Sequence, residues 1–186
     1  MDRKTEIIQH SQDLVRTIGF SAFSYQDLSD RLGIRKASIH HHFAKKEDLG
    51  IAILRSLKSS LQSYFGKVLF SDSGFEAKLD RFLSDSFLPC KDGKTCIINA
   101  FLADYNMLSD KARAELSEIS EIEVKALTSI LEVGLKEGVI SPEGQITDLA
   151  VLLRSTIKGA IQYARVSGED NFQTVTEQIK KSILSI

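Results

Sequence analysis

Residues 24 to 49 read Ser24-Tyr25-Gln26-Asp27-Leu28-Ser29-Asp30-Arg31-Leu32-Gly33-Ile34-Arg35-Lys36-Ala37-Ser38-Ile39-His40-His41-His42-Phe43-Ala44-Lys45-Lys46-Glu47-Asp48-Leu49. This stretch decides how the chain is read. Ser24 with Asp27 has the form of a capping box, with Asp in place of the usual Glu, so a helix is expected to open there. Leu28 and Leu32 lie one turn apart on its inward face, and Gly33 closes it. A second short helix, Lys36 to Phe43, is anchored by Ile34, Ile39 and Phe43. Its other positions carry cations and small polar groups where a core helix carries apolar ones. A short polar helix set at an angle on a small apolar base fits a DNA major groove. A longer helix is expected to start near Lys46, with Glu47 and Asp48 favourably placed in its first turn.

Working outward, Ile7, Ile8, Leu14, Val15 and Ile18 share one face of a first helix over residues 3–18, ended by Gly19. Phe20 and Phe23 anchor the connecting turn. In the long fourth helix, Leu49, Ile53, Leu57, Leu61, Phe65 and Leu69 form one stripe reaching about Phe70. Further helices are expected over residues 75–88, 95–108, 109–137, 147–167 and 172–184, with breaks at 71–74, 89–94 and 138–142. The helix from Thr147 is apolar on most sides and is expected to be buried all round. The last carries Phe172, Val175, Ile179 and Ile183 as one stripe. A single chain of this size has little interior to cover both, so a homodimer through the last two helices, about 147–184, is expected.

The chain has 186 residues, 24 Lys or Arg, 25 Asp or Glu, and a net charge of −1. Charge is unevenly spread. Residues 1–55 hold nine Lys or Arg against seven Asp or Glu and all four histidines, a net of +2, which leaves −3 for the rest. The basic end therefore falls on the candidate DNA-binding segment. Two cysteines are too few for a disulfide framework. No apolar run reaches the roughly 20 residues of a membrane-spanning helix, and the N-terminus lacks a signal-peptide pattern. A cytoplasmic protein with no membrane contact and no cofactor is expected.

The string Gly19-Phe20, Ser24-Tyr25-Gln26-Asp27-Leu28, Leu32-Gly33-Ile34, Ala37-Ser38-Ile39, His42-Phe43 and Lys46-Glu47-Asp48-Leu49 resembles the DNA-binding domain of TetR/AcrR-family transcriptional regulators over about residues 3–55. The resemblance implies an all-α chain. A three-helix, helix-turn-helix DNA-binding domain occupies residues 1–46, and a helical ligand-binding and dimerisation domain occupies 47–186. It implies a homodimeric repressor that binds a palindromic double-stranded operator and is released by a small-molecule inducer. One position departs from the family pattern: His40 stands where the family usually has a phosphate-contacting tyrosine, and a histidine can still donate a hydrogen bond there.

Arg35, Lys36, Ala37 and Ser38 lead the third helix, where a recognition helix reaches base edges. Arg35 or Lys36 is suited to guanine O6 and N7. His41 is expected to face the same groove. Ser24 and Lys46 match the family's phosphate-contacting positions, which orient the protein without reading sequence. Adjacent His40, His41 and His42 lack the i, i+4 spacing of helical metal ligands, so no metal site is expected. No HExxH, phosphate loop or nucleophile elbow appears, so an enzyme is not expected.

In the second half, Phe82, Phe87, Phe101, Tyr105 and Tyr163 are candidate walls of a pocket for an apolar or aromatic inducer, with Asn99 and Arg154 as polar handles. Cys90 and Cys96 flank Lys91, Lys94 and a glycine. Neighbouring cations and a helix start favour the reactive thiolate. Cys96 is therefore the better candidate for an alternative trigger that senses an oxidant or electrophile. A third possibility is an orphan helical regulator without a ligand.

Overall fold

The structure, a computed structural model, describes residues 2–90 and 93–185; Lys91, one of the lysines flanking the cysteines, lies outside them. Among the described residues there are nine α-helices and no strand: α1 (Arg3–Ile18), α2 (Tyr25–Leu32), α3 (Lys36–His42), α4 (Lys46–Leu69), α5 (Phe75–Phe87), α6 (Ile97–Ala103), α7 (Asp110–Glu137), α8 (Ile146–Ser167) and α9 (Glu169–Ile183). Short 3-10 turns follow α5 and α6.

The residues fall into two compact units. One holds residues 1–60 with 97–119, the other 61–96 with 120–186. In the first, α1 packs on α2 and α6, and α2 packs on α3. Its buried side chains include Ile7, Val15, Phe23, Leu28, Ile39, Leu49, Ile53 and Phe101. The second is closed around a core from Phe65 and Val68 of α4, Phe75, Leu79 and Phe82 of α5, Leu127 and Ile130 of α7, Ile157 and Ile161 of α8, and Phe172 and Ile179 of α9. Helices α4 and α7 each contribute one end to each unit.

The local chemistry explains the ends of the short helices. Asp2 caps α1, accepting from the backbone N–H of Lys4 at 2.6 Å and of Thr5 at 3.3 Å. Gly33 ends α2 at φ 64°, ψ 31°, a left-handed conformation that an L side chain adopts at a cost.

Three expectations are corrected. The sixth helix does not run from 95 to 108; it ends at Ala103, and Tyr105–Met107 forms a 3-10 turn. Asp104 leaves the helix and accepts a hydrogen bond from the Ser21 backbone instead. The last helix starts three residues earlier than expected, directly after Gly168. Helix α8 is not buried on all sides: Ala150, Leu153, Ile157, Ala160, Ile161 and Ala164 face the core, whereas Val151, Leu152, Tyr163 and Val166 are exposed.

Candidate nucleic-acid interface

The turn into α2 is fixed by Ser24. Its hydroxyl accepts from the N–H groups of Gln26 at 3.2 Å and Asp27 at 3.3 Å, while Asp27 accepts from the Ser24 N–H at 2.6 Å. The capping box expected from the sequence is thus complete. These bonds, the backbone one from Ser24 first, hold the Asp27 carboxyl below its ordinary value. Between α2 and α3, the Ile34 N–H donates to the Ser29 carbonyl at 3.2 Å and the Ser29 hydroxyl donates to the Ile34 carbonyl at 2.5 Å. That reciprocal pair makes the turn at Gly33 tight. The Tyr25 hydroxyl donates to the Phe43 carbonyl at 3.0 Å, tying the start of α2 to the end of α3. Burial and, second, the Asp48 carboxylate push the Tyr25 phenol up to about 12, so it stays a donor at neutral pH.

On this frame only Ile39 of α3 is fully buried. Arg35, Lys36, Ala37, His40 and His41 are exposed and Ser38 is half-buried. Arg35 sits at the N-cap of α3 with no capping bond from its side chain. Among the described residues, neither Arg35 nor Lys36 has an acidic partner. The exposed face of α3 therefore presents two free cations, a small residue, a hydroxyl and imidazoles: donors suited to phosphate and to guanine edges. His40 packs edge-on against Tyr25, with Nδ1 3.3 Å from the Ala44 carbonyl, which leaves Nε2 pointing away from that contact.

Lys46 lies differently from the other candidates. Its ammonium donates to the carbonyls of Ser21, at 3.0 Å, and Phe23, and sits over the rings of Phe20 and Phe23. Burial lowers its pKa, opposed by the charges of Asp104 and Asp27. Its side chain faces the α1–α2 turn.

The inducer-pocket candidates are dispersed. Phe101 is fully buried in the first unit, stacked on Phe20; Asn99 and Tyr105 belong to that unit too, and Tyr105 lies half-exposed under the Arg113 guanidinium. In the second unit, Phe82 stacks on Phe65 and Phe87 on Phe172. Phe87 also lines a cavity of about 370 Å³ with Cys90, Ile161 and Arg165. Tyr163 is exposed.

Cys96 and Arg154 instead lead to a polar seam that the sequence reading missed. Arg154, Lys158 and Gln162 stand at successive turns of α8. Arg154 donates to the Ser120 hydroxyl, and Lys158 binds the buried Glu123 carboxylate at 2.6 Å and the Cys96 sulfur at 3.5 Å. Gln162 accepts from the Thr95 hydroxyl at 2.8 Å. Burial pushes the Glu123 carboxyl up. For Lys158, burial works against the charge but is outweighed by Cys96 and Glu123, so its pKa is raised. One signal was available: the i, i+4, i+8 spacing of Arg154, Lys158 and Gln162 along α8. Another was Glu123 standing in the α7 stripe of Leu116, Ile119, Ala126 and Ile130.

A helix-turn-helix with a free basic face, joined to a helical second unit, defines a DNA-binding regulator of two-unit architecture. Residues 7–53 match the family model described as bacterial regulatory proteins, tetR family. The transcriptional repressor KstR2 of Rhodococcus jostii is 23% identical over 182 residues, spanning 98% of this chain and 89% of that protein. A TetR transcriptional regulator from Legionella pneumophila superposes with a TM-score of 0.89 at 24% identity, covering 98% of each chain. A TetR-family regulator from Agrobacterium tumefaciens gives 0.90 at 24% identity over 97% of this chain and 96% of that one. The N-terminal segment thus carries the TetR-family DNA-binding signature, and nearly the whole chain is similar to transcriptional regulators of that family.

Proposed function

We propose that this chain is a homodimeric, cytoplasmic transcriptional repressor that binds a palindromic operator through α3 and is released by a small-molecule inducer. The observation that carries this reading is the free basic face at the start of α3, held by the capping box and the Gly33 turn. Arg35, Lys36, Ala37, Ser38 and His41 address the groove, and Ser24 and His40 address phosphate. Lys46 acts by holding the turn that presents Ser24. The division of labour is residues 1–46 for DNA and 47–186 for effector and dimerisation, with α4 as the continuous helix shared by the two compact units. The exposed apolar residues Val151, Leu152, Tyr163 and Val166 of α8 support dimerisation through the last two helices. Effector binding shifts the equilibrium only by its differential affinity for the two states. The apolar core of the second unit supports an apolar or aromatic inducer.

Selection from a random pool of duplexes tests this. A two-fold symmetric sequence with half-sites about 10 base pairs apart, or a multiple of that, is expected. A pool that stays random after repeated rounds contradicts the reading.

A second reading of the trigger is favoured by the 3.5 Å contact between the Lys158 ammonium and Cys96. A neighbouring ammonium stabilises the thiolate, the nucleophilic form, so Cys96 is suited to react with a quinone or an aldehyde. Release of the selected duplex by such a compound is expected from wild type and lost in Cys96→Ser. Equal release from both removes Cys96 as the trigger.

A further inference from the structure

The α1–α2 turn presents Ser24, yet it is not held by the helix-turn-helix segment alone. The Ser21 N–H donates to the Asp104 carboxylate at 2.8 Å, a bond that spans 83 positions of sequence. Asp104 directly follows α6. One helical turn earlier, the fully buried Phe101 stacks on Phe20, with ring centroids 4.8 Å apart and planes inclined by 28°. The tip of the Phe20 ring is closed by α4: a Cβ built on Gly50 would stand 2.6 Å from Phe20 Cζ. Lys46 completes the seat through the Ser21 and Phe23 carbonyls. Both backbone polar groups of Ser21 are therefore tied to side chains outside α1–α3. All of these residues lie in one compact unit.

We infer that Asp104 is a positioning residue for DNA binding: with Phe101 it makes the end of α6 the anchor that places Ser24, and the N-terminus of α2, against the operator phosphate. The bond lies at the exposed surface, where a charged acceptor holds the Ser21 N–H more strongly than a neutral one. The turn from Ser21 to Ser24 is four residues long and closed at its far end by the capping box. Displacement at Ser21 therefore carries to Ser24 without being absorbed in between.

This inference rests on the DNA-binding reading. The test uses the full chain and the duplex selected by wild-type protein. Affinities are measured for Asp104→Ala and Asp104→Asn, alone and with Ser24→Ala or Arg35→Ala, below each variant's melting temperature. Asp104→Ala is expected to weaken binding about 10-fold, the scale of one lost bond to a charged group. Asp104→Asn, whose amide oxygen still accepts, is expected to recover to within about threefold, as a neutral acceptor does. With Ser24→Ala the effect of Asp104→Ala is expected to shrink to about twofold, and with Arg35→Ala to stay whole, since only residues acting through one contact fail to add. A purely structural role would give the same factor in both backgrounds. Phe101→Leu removes the stack and keeps Asp104; it is expected to show the same coupling to Ser24, and it carries the test where Asp104→Ala does not fold. Unchanged affinity of Asp104→Ala and Phe101→Leu, or an equal loss in both backgrounds, overturns the inference. Failure to select any duplex overturns the DNA-binding reading itself.

Discussion

Single side chains decide several features of this molecule. Gly134 of α7 has no Cβ because the Phe75 ring occupies the space: a Cβ there would lie 2.9–3.0 Å from three ring atoms. Phe75 is fully buried, so the ring has nowhere to retreat. Gly134→Ala should therefore lower stability by about 1–3 kcal/mol, the usual cost of overpacking a core, read as a lower melting temperature by circular dichroism. A melting temperature at or above that of wild type would show that the ring adjusts freely. At this scale some residues were legible in sequence and others were not. Gly33 and Ser24 announced themselves because their roles are local: a left-handed φ and a cap depend on neighbours within four positions. Lys158 and Glu123 each stood out only as a polar position on a buried stripe; that they pair was not legible, because an ion pair between α7 and α8 has no sequence spacing of its own. Lys46 shows the same limit in reverse: the family position was evident, but the carbonyls its ammonium seeks come from the α1–α2 turn.

At the scale of elements, helix ends were legible where they are built by caps and glycines, as for α1 and α2. The end of α6 was not. Phe101 to Leu108 reads as a continuing apolar pattern, and what breaks it is a contact with Ser21 far away in sequence. Helices α4 and α7 meet in the first unit through Glu115, which accepts from Arg55 Nε and Lys58 Nζ, each at 2.5 Å; Lys58 also reaches Glu118 at 2.7 Å. Burial of Glu115 opposes its charge, but the bonds from Lys58 and Arg55 outweigh it, and its carboxyl is held below the ordinary value of 4.5. A depressed folded pKa means stability that is present above the unfolded value and lost as pH falls through the folded one. Glu115→Gln should cost about 1–2 kcal/mol at pH 7 by urea denaturation, as for lost charge-assisted hydrogen bonds. The gap from wild type should close as pH falls through the lowered Glu115 pKa, below the ordinary value of 4.5. A gap that persists unchanged at acid pH would assign the cost to packing.

At the scale of the whole molecule, the exposed apolar residues of α8 contrast with the polar outer face of α9, and the proposed dimer would use the former. The stripe Phe172, Val175, Ile179 and Ile183, which the sequence marked as interface material, packs on the core of its own unit, while Leu152, Tyr163 and Val166 stay exposed. Leu152→Arg with Tyr163→Glu should convert a dimer to a monomer in sedimentation velocity at micromolar concentration. It should weaken operator binding by at least about 10-fold, since a monomer reads one half-site and forfeits the second, tethered contact. A double variant that sediments as wild type would place the interface elsewhere. The central claim is that the start of α3 reads DNA sequence, and it is tested most directly by titrating the selected duplex and a scrambled duplex with wild type and Arg35→Ala at fixed salt. Arg35→Ala should lose about 5- to 150-fold on the selected duplex, the range of one base contact, and little on the scrambled one. An equal loss on both duplexes, or none on either, would contradict the claim.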